Sequence, residues 1–94
     1  MTVKIKYYFK SDETIDKVWR NEKGELHRED GPAVESSNGR REWFKNGLRH
    51  REDGPAIVWE DGTHSYYLND IKYTKEEYWK KIEKIKKRRE SKIK

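Results

Sequence analysis

Ninety-four residues, 31% hydrophobic and 44% charged, make one small domain that buries only about 60–65% of its unfolded surface and has no room for a second core. The absence of cysteine excludes a disulfide framework and a thiolate metal site, and no apolar run suits a leader or a membrane span, so a soluble cytosolic (cytoplasmic) protein is expected. The net charge of +5 is uneven: residues 74–94 carry ten Lys/Arg against four Glu (+6), leaving 13 against 14 (−1) for residues 1–73, so attraction to an anionic partner would reside in the C-terminal segment.

Apolar and basic residues alternate from Val3 to Phe9, which predicts a strand with Val3, Ile5, Tyr7 and Phe9 on one side. Ser11-Asp12-Glu13 turns the chain into a second extended run, Ile15 to Arg20, closed by the polar stretch Asn21 to Gly24. Turn signals then recur at Asp30-Gly31-Pro32, Asn38-Gly39, Asn46-Gly47, Asp53-Gly54-Pro55, Asp61-Gly62 and Asn69-Asp70. Asn-Gly and Asp-Gly favour the left-handed backbone of tight hairpin turns. The short segments between them, rich in aromatic and β-branched residues, predict a mostly β chain: an antiparallel meander of about six to eight strands, with no helix before residue 74. At Thr74 the pattern changes. Thr74 and Glu77 form an S/T-x-x-E capping box, and Tyr78, Trp79, Ile82 and Ile85 follow at helical spacing, predicting about three turns docked on the sheet. The run from Lys86 to Lys94 holds one apolar residue, Ile93, and is expected to fray into a basic arm. A single domain results, with a β body over 1–73 and a C-terminal helix and arm over 74–94.

The seven residues His27 to Ala33, HREDGPA, recur as His50 to Ala56, a period of 23. Laying residues 24–46 over 47–69 gives ten identities, with Trp43 and Phe44 falling over Tyr66 and Tyr67. A repeat of this length is one supersecondary unit that buries its apolar side on its neighbour, so shared residues have a structural cause first. The stretch from Trp43 through Asn46-Gly47 to His50-Arg51-Glu52-Asp53-Gly54-Pro55-Ala56 resembles the MORN-variant repeats with NGxxHRxDGPA units, over roughly residues 19–73. The segment from Tyr67 to Trp79 is similar to the terminal unit of those proteins, where a last hairpin passes into a helix. That resemblance implies an open sheet of stacked hairpins, in a family of small phage, viral and bacterial accessory proteins with a branch of antitoxins. One departure is that Trp19 lies five residues before Gly24, whereas Trp43 lies four before Gly47. With barely two full units, the N-terminal hairpin and the helix are expected to act as caps.

Several constellations invite chemistry. His27 with Asp30 and His50 with Asp53 form a doubled H-x-x-D, but the turn dictates this spacing. A ladder is expected instead, in which each Asp accepts turn N–H groups, the Arg pairs with a carboxylate of the next unit, and Asp53→Ala costs about 1–2 kcal/mol. Ser11, Ser36, Ser37 and Ser65 lack a nucleophile motif, and Glu29, Asp30, Glu52 and Asp53 each have an Arg neighbour that favours ionisation. Neither an enzyme nor a metal or cofactor site is expected.

Adjacent aromatics in one strand point to opposite faces, and one helix covers only one. Trp43, Phe44, Trp59, Tyr66 and Tyr67, with Arg51, are therefore the candidate binding residues, on a face expected to meet a protein partner or a second copy of the chain. The alternative to that exposed face is that the stems of Arg41, Lys45 and Arg51 lie over these rings. Under the resemblance, the partner is a bacterial macromolecule, such as a defence component, that a phage or mobile-element accessory protein sequesters. An alternative is a nucleotide or nucleic-acid binder, with Trp43, Trp59 or Tyr66 stacking a base and Arg51 or Arg88 holding phosphate; Lys86, Lys87, Arg88 and Arg89 would form its anionic-partner arm. A third reading is an antitoxin-like protein that meets one cognate toxin. No membrane partner is expected.

Overall fold

The computed structural model describes residues 4–93, with side chains through residue 90; Val3, read above as opening the first strand, and the side chains of Lys92, Ile93 and Lys94 in the expected arm lie outside the described residues. The alternating N-terminal segment forms β1 (Lys4–Phe9), paired antiparallel along its whole length with β2 (Ile15–Arg20). There follow β3 (Val34–Ser36), β4 (Arg41–Glu42), β5 (Phe44–Lys45), β6 (Leu48–Arg49), β7 (Ile57–Val58), β8 (His64–Leu68), β9 (Ile71–Tyr73) and α1 (Lys75–Ile93). Seven strands make one sheet in the order β1-β2-β3-β4-β7-β8-β9, and β5 and β6 form a separate hairpin. The described chain measures 49 × 33 × 17 Å, a plate much longer and wider than it is thick.

Each 23-residue unit is a long bent hairpin with a loop extruded from its return strand. In the first, Trp19 donates its N–H to Ala33 (2.9 Å) and accepts from His27 (3.1 Å), so residues 28–32 bulge out between two paired segments. In the second, Trp43 bonds Ala56 (2.7 Å) and His50 (3.1 Å) in the same way. Both alanines are fully buried where the loop rejoins the sheet, which explains why a small residue recurs there. The hairpin tips are tight turns at Asn46-Gly47 and Asn69-Asp70, with positive φ at all four residues, as their side chains predicted. The irregular spacing after Trp19 has its cause here: the first tip is a longer turn over Asn21–Gly24, closed by the Gly24 N–H on the Asn21 carbonyl (3.0 Å).

Successive units are tied through histidine. His27 Nδ1 accepts the backbone N–H of Asn46 (2.9 Å), and His50 Nδ1 accepts that of Asn69 (3.0 Å). A nitrogen that accepts carries no proton, so Nε2–H donates to Glu29 (3.0 Å) in one unit and Glu52 (2.9 Å) in the other. The aspartates play a different part from the one expected. Asp30 and Asp53 take the Nε–H of Arg28 (3.1 Å) and Arg51 (2.9 Å) within their own unit rather than turn N–H groups. Nor does either arginine pair with a carboxylate of the next unit. Each curls back, donates to the carbonyl of Pro32 (3.1 Å) or Pro55 (3.0 Å), and lies 3.9 Å above the ring of Trp19 or Trp43.

Cross-strand partners share a face, so the register assigns the two sides. Val18, Val34, Glu42, Ile57 and Ser65 lie on one; Lys17, Glu35, Arg41, Val58, His64 and, by alternation, Tyr66 lie on the other. The helix covers the second face: Tyr66, Leu68, Tyr78 and Ile82 form one core cluster, with Tyr73 and Ile85 against it. On the first face, Leu26 and Phe44 fold over Val18 and Val34 to make a separate core. The capping box closes as predicted, with Glu77 N–H on Thr74 Oγ1 (3.2 Å) and Thr74 N–H on the Glu77 carboxylate (3.0 Å). The helix does not fray after Ile85; it runs on to Ile93. Lys, Arg and Glu are strong helix formers, and Glu83 with Lys87 (3.7 Å) and Arg89 with Glu52 (2.6 Å) hold the added turns.

Candidate functional site

The five aromatic residues singled out from sequence do not share a surface. Trp43 and Tyr66 lie on the helix-covered side, and Phe44, Trp59 and Tyr67 on the other. Phe44 and Tyr66 are buried core residues, the latter 4.9 Å from the ring of Tyr78. Trp43 is half-buried beneath Arg51, and Tyr67 is half-buried with Arg49 5.7 Å from its centroid. Trp59 alone of the five is exposed, with its indole N–H fixed on Ser65 Oγ (3.0 Å). On the face away from the helix, Leu26 and Phe44 pack over Val18 and Val34 and Arg49 lies over Phe44 and Tyr67, so Trp59 is the one exposed ring of the five there, an arrangement that depends on register. Of the stems expected over these rings, Arg51 lies over Trp43 on the helix-covered side, as Arg28 lies over Trp19, and no ring contact involves Arg41 or Lys45 among the described residues.

Exposed apolar surface gathers instead on β1. Every residue of this strand is exposed, with Tyr7 at 60% and Phe9 at 84%, and beyond it no strand pairs among the described residues. Ile5, Tyr7 and Phe9 line one side, as the alternation predicted, and Tyr8 adds a ring on the other. Sequence reasoning located the strand but not its exposure. The signal was available: in a meander whose strands pair in chain order, the strand that opens the order pairs with its successor alone among the described strands.

A cleft of about 880 Å³ opens between the two extruded loops, within the span common for ligand sites. Its walls include Arg28, Gly31, Trp43, Glu52, Lys86 and Arg89. Arg51 lines it too, but its guanidinium is already committed to Trp43, Asp53 and Pro55. The four basic residues of the expected arm are helical: Arg89 bonds Glu52, Lys87 pairs with Glu83, Lys86 borders the cleft, and Arg88 is exposed. Burial works to raise the Glu52 pKa, but the His50 hydrogen bond and the Arg89 guanidinium outweigh it and hold the carboxyl below its ordinary value. Both ring nitrogens of His27 and of His50 are engaged, and among the described residues no three His, Asp or Glu side chains converge as metal ligands.

These elements define a mostly β chain of antiparallel hairpins closed at one end by a C-terminal helix, with apolar surface at the opposite edge. No family model matches it, nor does any curated protein or solved structure. Among the described residues no helix is long and apolar enough to cross a membrane.

Proposed function

We propose that this protein is a non-enzymatic binding module that engages another protein through the outer edge of β1. The observation that carries the reading is the exposure of Ile5, Tyr7, Tyr8 and Phe9 on a strand whose outer N–H and C=O groups meet no neighbour among the described residues. Exposed apolar edge strands add to a partner's sheet: backbone hydrogen bonds supply affinity and alternate side chains supply specificity. Lysines on β1, Lys4 and Lys6, discourage indiscriminate pairing and favour a partner with acidic residues opposite them. The resemblance to MORN-variant repeats suggests the setting, an accessory protein that occupies a bacterial target such as a defence component or a cognate toxin. A nucleic-acid reading has less support, because base stacking needs open ring faces and, of the three rings offered for it, Arg51 covers Trp43 and Tyr66 is buried, which leaves Trp59 alone.

The test is affinity capture from a bacterial lysate, with and without nuclease, by the parent chain and by Phe9→Lys. Losing the burial of one fully exposed Phe amounts to about 2 kcal/mol, roughly thirtyfold in affinity, while the melting temperature stays unchanged because Phe9 packs on nothing in the core. A partner retained equally by Phe9→Lys sinks the β1 reading. Capture abolished by nuclease favours nucleic acid. Self-association lost in the variant makes the partner a second copy.

A further inference from the structure

The two HREDGPA loops adopt the same internal conformation: the same His–Glu, Arg–Asp and Arg–Pro hydrogen bonds, and the same 3.9 Å stacking of Arg on Trp. They differ in what reaches them from outside. At the second loop, the Tyr78 hydroxyl accepts the Gly54 N–H (3.2 Å) and donates to the Arg51 carbonyl, and Arg89 bonds Glu52 (2.6 Å). At the first loop, no group among the described residues takes the Gly31 N–H or donates to the Arg28 carbonyl, and Glu29 has only its own His27. Exposure follows this difference: the Glu29 side chain is 64% exposed and that of Glu52 33%, and Gly54 is buried where Gly31 is not.

We infer that the first loop, residues 27–33, is a docking site for a segment of a partner protein that presents a tyrosine and a cationic side chain, as α1 presents Tyr78 and Arg89 to the second loop. The chemistry of the occupant is specified by groups already on the loop. Gly31 and Arg28 offer one donor and one acceptor, which a phenol hydroxyl satisfies together because it both accepts and donates. Glu29 offers a carboxylate whose counterpart at the second loop already holds an arginine. On α1, tyrosine and arginine lie about three turns apart, and the long arginine side chain leans back toward the N-terminus, so a single helix meets both demands. The cleft beside the loop has space for both side chains, and Lys86 in its lining favours an acidic residue on the flank of the incoming segment. A second copy of this chain is disfavoured as occupant, since its own Tyr78 and Arg89 are already engaged at its second loop. This site rests on the comparison of the loops and is independent of β1, so either reading can fail alone.

The probe is a synthetic peptide of residues 74–90 of this chain, added to the intact protein while amide hydrogen exchange is followed at Gly31 and Gly54. Gly31 exchange should slow at least tenfold at saturation with Gly54 unchanged. The same peptide carrying Tyr78→Phe should bind about tenfold more weakly and leave Gly31 unprotected. Glu29→Gln in the protein, an exposed change that spares the fold, should weaken the parent peptide about threefold. Three results overturn the inference: no slowing at Gly31 under saturation, which means the loop is satisfied by solvent; equal protection by the Phe peptide; or a change confined to Gly54, which means the peptide only exchanges with α1. Protection of Gly31 that rises with protein concentration and no peptide would make the occupant a second copy and overturn the assignment to another protein.

Discussion

Tyr78→Phe isolates one oxygen atom on which the helix and the second repeat both depend. The Tyr78 ring is fully buried and packs 4.9 Å from Tyr66, so phenylalanine keeps the packing and loses only the hydroxyl. What it leaves behind is the Gly54 N–H, on a buried residue, and the Arg51 carbonyl, both without a partner. An unsatisfied buried backbone group costs about 1–3 kcal/mol, and Arg51 lies nearer the surface, so the two together cost about 2–3 kcal/mol. In a chain of this size each kcal/mol moves the midpoint by about 4–8 °C, which places the loss at about 10–20 °C. Calorimetry or urea denaturation followed by circular dichroism measures it, and amide exchange at Gly54 should accelerate in the variant. A loss below about 0.5 kcal/mol with Gly54 exchange unchanged would refute the bridging role of the hydroxyl and, with it, the comparison of the two loops.

Alkaline stability should track the same phenol: burial foremost, with the Asp53 charge adding, raises the Tyr78 pKa against the opposing pull of the Gly54 N–H. Its folded value then lies above the unfolded value near 10, so the contribution is complete below that pH and is lost as pH rises through the folded value; ultraviolet titration should show a late ionisation that coincides with unfolding and is missing in Tyr78→Phe. His27→Ala, which removes the acceptor for Asn46 from a buried site, should cost about 1.5–3 kcal/mol by urea denaturation, whereas Asp53→Ala, at an 86% exposed side chain paired with Arg51, should cost less than about 1 kcal/mol. Equal losses would restore a turn-capping role for the aspartate. Truncation after Ile85 should leave a folded chain that melts a few degrees lower, because it removes the Arg89 partner of Glu52. Since that carboxyl is held below its ordinary value of 4.5, the pair contributes above this pH and is lost as pH falls through the depressed value, so melting curves of the two chains should converge in acid.

Local chemistry made much of this architecture legible in the amino-acid order. The end of β1 at Phe9, the bounds of β2, the positive-φ turns at Asn46-Gly47 and Asn69-Asp70, and the Thr74–Glu77 capping box each depend on residues within a few positions of one another, where backbone preference and side-chain reach suffice. The extension of α1 beyond Ile85 was obscured because the apolar stripe ends there, while Arg89 finds its carboxylate on a loop 37 residues away. Which of Trp43 and Phe44 faces the helix was closed to sequence for a stricter reason: a one-residue change of register exchanges the two faces, and only the pairing of β4 with β7 sets it. The repeat announced HREDGPA as scaffold, yet the partners of each side chain came from the tertiary structure, where Arg51 turns back on its own Trp43 and leaves the carboxylates of the next unit alone. Tyr78 marks the boundary between the two kinds of knowledge. Its helical spacing assigned the ring to an apolar stripe, but its hydroxyl acquires a role only when folding brings it against Arg51 and Gly54, 27 and 24 residues earlier in the chain.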